Sequence, residues 1–143
     1  MNSDYLWAKT DEDGEWHPLI LHMIDVAVVA DVVLDREPQA TRDMLAGLIG
    51  LSWKEARPWI LLLVACHDLG KASPGFQLKW KKSKELLAPT GIHLPPLPDT
   101  SIHHAFVSQI ALEKLLKESG WPEGLATVSV QGADSIKHVR CQI

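Results

Sequence analysis

At 143 residues, 46% of them hydrophobic and 22% charged, the chain has the length of one domain and enough apolar residues to bury a core. That excludes a disordered tail or a disulfide-dense miniprotein. With 14 basic and 18 acidic residues the net charge is −4, so this is not a bulk-basic nucleic-acid binder, and any such contact must be local. Cys66 and Cys141 lie far apart and form no metal-type pair, and the acidic, polar N-terminus does not resemble a signal peptide. The longest nearly uncharged apolar run, residues 59–66, is too short for a bilayer. The expectation is a soluble, cytoplasmic chain with reduced thiols and no membrane partner.

Residues 18–34 are rich in Val, Ile, Leu and Ala without alternation and are too long for a strand. They predict a buried helix with Pro18 in its first turn and His17 as its cap. A second helix is predicted from Thr41, as cap, to about Gly50. Ser52-Trp53-Lys54-Glu55 has capping-box spacing and opens a third, which Pro58 is expected to kink or restart and which ends near Gly70. Residues 73–84 predict a short polar helix or turn, and the proline- and glycine-rich residues 88–98 a loop. Thr100 or Ser101 caps a last helix over residues 102–118, stopped by Gly120 and Pro122. Strand signals are almost absent, so the fold class is all-α. Residues 1–128 are read as the domain, and residues 129–143, without helical period or strand rhythm, as a divergent tail.

The chemistry concentrates in Cys66-His67-Asp68-Leu69-Gly70-Lys71. An apolar helix runs directly into adjacent His and Asp, followed by a glycine. Neighbouring side chains on a helix diverge by about 100°, so this pair converges on one point only near a helix end. Imidazole plus carboxylate suits a divalent transition metal. Such an ion lowers the pKa of a bound water and clamps a phosphoryl group, which is phosphoester hydrolysis. Lys71 is placed to neutralise phosphate charge. Against this stands the plain reading of a His-Asp pair as a surface feature or cap, and of Cys66 as a small apolar filler.

His67-Asp68-Leu69-Gly70-Lys71-Ala72, followed by Phe76-Gln77, resembles the signature of HD-superfamily metal-dependent phosphohydrolases. It is more closely similar to the HD nuclease domain of the CRISPR-associated helicase-nuclease of type I systems. Trp7-Ala8-Lys9, Trp16-His17-Pro18-Leu19, His22-Met23-Ile24-Asp25-Val26-Ala27 and His104-Ala105-Phe106-Val107-Ser108 carry the same resemblance, in order, over residues 5–126. It implies an HD-domain helical bundle of about five to six helices that acts as a metal-dependent single-stranded DNA nuclease. The implied partners are single-stranded DNA, a superfamily 2 helicase domain or subunit and the type I CRISPR surveillance complex. The implied cofactor is Fe, Mn, Ni or Co. Residue by residue, His22, His67 and Asp68 belong to a first metal, Asp68 bridges, and His104, chosen over His103 by the motif, belongs to a second. Asp68 and Lys71 are the catalytic candidates.

The family continues into a His-His-Gly motif and a later aspartate. Here the corresponding stretch reads Ser129-Val130-Gln131-Gly132, and neither Asp134 nor His138 sits in a matching motif. The expectation is therefore a truncated domain, with one metal site and a weakened second. The alternative expectation is a catalytically deficient decoy that occupies the docking site of the full-length helicase-nuclease. Lys79, Trp80, Lys81 and Lys82 form the basic cluster, read either as a nucleic-acid contact with a stacking ring or as a solvated helix face. Trp7, Trp16, Trp53, Trp59 and Trp121 are read as packing or contact residues, and His93 as solvated.

Overall fold

The structure is a computed structural model and describes residues 5–95 and 102–121. Among these, the chain forms a short antiparallel ribbon, β1 (Trp7–Thr10) and β2 (Trp16–Pro18), and six α-helices. The helices are α1 (Leu19–Arg36), α2 (Gln39–Gly47), α3 (Trp53–Ala65), α4 (Pro74–Gln77), α5 (Ser83–Leu87) and α6 (His104–Glu118). A 3₁₀ segment, Cys66–Ala72, links α3 to α4. The mostly helical class agrees with the composition and patterning. The tail at residues 129–143, Cys141, Asp134, His138, Pro122 and the expected caps Thr100 and Ser101 lie outside the described residues.

The ribbon adds to the all-α class two short strands for which the sequence carries almost no signal. A turn in which the Asp11 carboxylate accepts from the Glu15 N–H (2.8 Å) reverses the chain and pairs Thr10 with Trp16 and Lys9 with His17. Two strands this short leave almost no alternating pattern to read. His17 therefore lies in β2 rather than capping α1, where Pro18 holds the N-cap position.

α1 forms where expected but is not buried throughout. Only Leu19, His22 and Leu34 are buried, whereas Leu21, Ile24, Val28 and Val32 are about half exposed. α2 begins at Gln39, two residues before the expected cap, and the Gln39 amide donates to the Asp43 carboxylate at 2.7 Å. In α3 the Ser52 hydroxyl and backbone N–H both donate to Glu55, at 2.6 Å and 3.2 Å, completing the capping box. α3 runs continuously through Pro58, so the helix does not restart there. The proline is exposed near the helix start, where solvent can satisfy the carbonyl it leaves unpaired. Residues 73–84 become two short helices with buried Phe76, Gln77 and Ser83, so this stretch is not simply polar. α6 is capped by His103, whose Nδ1 accepts from the Ala105 N–H at 3.3 Å.

Two apolar clusters hold the helices together. Leu34, Ala46, Ile49, Ala56 and Ile60 join α1, α2 and α3, while Leu63, Cys66, Leu112 and Leu116 join α3 to α6. Trp121 packs against both and meets Trp59 edge-on at 5.0 Å. Trp53 lies under the Arg42 guanidinium. No helix among the described residues is long and apolar enough to cross a membrane.

Candidate metal centre

Asp68 sits where the backbone leaves helical geometry, at φ −106° and ψ 15°. This break lets His67 and Asp68, which would diverge on a regular helix, converge. The Asp68 carboxylate is almost wholly buried, and four cationic or imidazole groups surround it. Its Oδ2 lies 3.0 Å from His22 Nε2, 3.1 Å from His67 Nε2 and 2.8 Å from Lys71 Nζ. Its Oδ1 faces His104 Nε2 at 3.2 Å. α1, the 3₁₀ segment and α6 thus each send a side chain to one carboxylate.

Burial alone would push the Asp68 carboxyl up, but hydrogen bonds from His67 and Lys71, with the charge beside them, outweigh it. The group stays well below the usual carboxylate range and is ionised. At His22, burial depresses the imidazole's pKa and opposes the hydrogen bond to Asp68; the Lys71 and Lys9 charges push it down further. That favours the neutral ring, which is the form that ligates metals.

The donor set suits a divalent transition metal. One ligand atom each from His22, His67 and Asp68 all lie within 4.8 Å of one another. The His67 Nδ1–H donates to the Val64 carbonyl at 2.9 Å, fixing the ring. Its Nε2 is then the ring atom that faces Asp68 Oδ2, at 3.1 Å. Two imidazoles and one carboxylate make the three-ligand set of a catalytic site. His104, on the other carboxylate oxygen, stands apart from this trio.

A family model described as "Cas3, HD domain" matches residues 7–139. The chain belongs to this family. One relative, the CRISPR-associated endonuclease/helicase Cas3 of Thermus thermophilus, is 44% identical over 121 residues, covering 85% of this chain and 13% of the relative. The protein of the same name from Escherichia coli is 32% identical over 83 residues, 55% of this chain and 9% of that one. The chain thus spans about an eighth or less of these curated relatives. A solved structure described as a CRISPR-associated protein has a TM-score of 0.78 at 29% identity, over 90% of this chain and 15% of the other. T. fusca Cas3 has a TM-score of 0.70 at 23% identity, over 91% and 14%, and shares the fold.

Within this Cas3 HD fold, the remaining expected residues are placed as follows. The Lys71 ammonium is buried on Asp68 and also donates to the Ala8 carbonyl at 3.3 Å, so it supports the carboxylate rather than standing in solvent. Lys79, Lys81 and Lys82 are exposed, while Trp80 is half buried against Trp7 (5.8 Å) and Trp16 (6.2 Å). Cys66 is core, and burial pushes its thiol up.

The sequence does not reveal the placement of three groups at the site. Gln77, fully buried, donates to the Trp7 carbonyl (2.9 Å) and the Lys71 carbonyl (2.7 Å) and accepts from the Trp7 N–H (3.2 Å). A lone Gln in a polar stretch carries no signal of this. Ser108 accepts from the Gly70 N–H at 2.8 Å, docking the 3₁₀ segment on α6. Lys9, His17 and Asp25 share with His22 an open groove of about 320 Å³, and His17 Nε2 lies 2.9 Å from Asp25 Oδ2. The three-residue spacing of His22 and Asp25 on α1 was the available clue.

Proposed function

We propose that this chain is a metal-dependent nuclease domain that hydrolyses phosphodiester bonds of single-stranded DNA in type I CRISPR interference. In this reading it works beside a superfamily 2 helicase domain or subunit and is recruited by the surveillance complex. The observation that carries it is the meeting of His22, His67 and Asp68 on one point, in a chain of the Cas3 HD family. These three residues would hold a divalent transition metal, which the donor set suits and for which the family resemblance implies Fe, Mn, Ni or Co. When bound, the ion supplies Lewis-acid polarisation of the phosphoryl group and acidifies water.

The protein's part is positional. Val64 orients His67, burial keeps His22 neutral, and Lys71 keeps Asp68 ionised and fixed. His104 borders the same carboxylate, where it can contact the phosphate or a second ion. The test is cleavage of a labelled single-stranded oligonucleotide with added Mn²⁺. Activity should vanish with EDTA and fall by about 10²-fold or more in His67→Ala and Asp68→Ala of unchanged helical circular dichroism. Metal-free parent protein that cuts nothing after Mn²⁺ addition, or variants as active as the parent, would refute it.

A further inference from the structure

On the other side of the ribbon from His22, a second groove of about 400 Å³ is lined by Trp16 of β2 and Trp80, with Gly14, Lys82 and Glu85. The two indole rings are 6.2 Å apart, inclined at 38°, and both remain partly exposed. Trp80 is backed by Trp7 (5.8 Å), Trp7 by Phe76 (4.6 Å), and Phe76 meets His104 edge-on at 5.2 Å. A row of rings therefore runs from the groove to the imidazole beside Asp68. The Lys82 ammonium reaches over the turn at Gly14, whose φ of +84° a side chain would strain; an added Cβ would stand 3.2 Å from that nitrogen.

We propose that this groove takes an unpaired nucleobase of the substrate strand, an inference that rests on the single-stranded nucleic acid proposed above. Indole faces accept any base by stacking, and a lysine at the edge meets the adjoining phosphate. The Glu85 carboxylate is an acceptor for base N–H groups, a role that a purely apolar guest would leave unused. The ribbon makes the connection to the metal centre. Consecutive residues of a strand face opposite sides, so Trp16 lines this groove while His17 lines the one that opens on His22. A strand anchored by its base on one side of the ribbon crosses only the ribbon to bring its backbone to the other.

The test uses fluorescence anisotropy with two labelled octamers in EDTA, one of thymidines and one abasic with the same phosphates. The thymidine octamer should bind more tightly, and Trp16→Leu and Trp80→Leu should each weaken it about tenfold to a hundredfold while leaving the abasic octamer unaffected. Equal binding of the two octamers, or parallel loss of both in the variants, overturns the proposal. Because Trp80 also packs on Trp7, the parent chain is additionally photocrosslinked to a 5-iodouracil oligonucleotide. The crosslinked peptide should contain Trp16 or Trp80, and a crosslink confined elsewhere refutes the groove. Base-dependent binding without metal-dependent cleavage would remove the nuclease reading alone, whereas cleavage without it would remove the groove alone.

Discussion

Gly70→Ala tests how the metal centre is assembled. A Cβ built at Gly70 would stand 2.0 Å from the His104 carbonyl oxygen, 2.5 Å from the Ser108 nitrogen and 2.9 Å from the Ser108 hydroxyl. Two of these are backbone atoms of α6, so no rotamer change relieves the clash. Restoring an ordinary 3.4 Å contact requires the two backbones to part by about 1.4 Å. Forced overpacking costs about 1–3 kcal/mol, and loss of the Gly70–Ser108 hydrogen bond adds about 1 kcal/mol. For a chain of this size that lowers Tm by on the order of 10 °C. The same displacement carries His104 away from the Asp68 oxygen it now faces at 3.2 Å, so cleavage should fall by about 10²-fold even below the melting range. Gly47→Ala is the control, because nothing lies within 4 Å of its added Cβ and it ends α2. It should stabilise by up to about 1 kcal/mol. Differential scanning calorimetry and the oligonucleotide assay read both. A Gly70→Ala protein that melts with the parent and cuts at the parent's rate would refute this account of the docking.

Other perturbations have defined outcomes. Gln77→Ala strands the Trp7 N–H and two buried carbonyls and should cost at least about 2 kcal/mol in urea denaturation, with faster hydrogen exchange at the Trp7 amide. Mn²⁺ at a hundred times its Kd should add about 2.7 kcal/mol to the stability of EDTA-treated parent protein and nothing to His22→Ala, read as the shift in denaturation midpoint. Glu55 is held below its ordinary value of 4.5 first by the Ser52 hydroxyl and then by the Ser52 N–H. A carboxylate depressed on folding stabilises fully above its unfolded pKa, and that contribution fades as pH falls through the folded one. The stability gap between parent and Glu55→Ala should therefore be widest above pH 4.5 and shrink below it in urea titrations.

The helices and the His67-Asp68 pair were legible because each is a local pattern. Apolar runs, the Ser52–Glu55 spacing and the His67-Asp68-Leu69-Gly70 sequence all act within a turn or two of chain. What was not legible depends on distant partners. The ribbon is too short for a period, and His17 looked like a cap because its partner Asp25 lies on the next helix. The purpose of Gly70 appears only once α6 is laid against it. α1 reads as buried because its composition is apolar all round, but composition does not tell which faces have neighbours. The position of Lys71 after the pair carries its expected link to a phosphate, but the contact of its ammonium with the Asp68 carboxylate shows only in the fold.

The Gln77 amide has a consequence for the order of assembly. It joins residues 70 positions apart, and closing so long a loop is an entropic expense that no local contact in the ribbon repays. The N-terminal segment therefore gains its fastening only after the interior helices have docked and presented the amide. Loss of the Gln77 contact would free the first strand and, with it, the Ala8 carbonyl that accepts from Lys71.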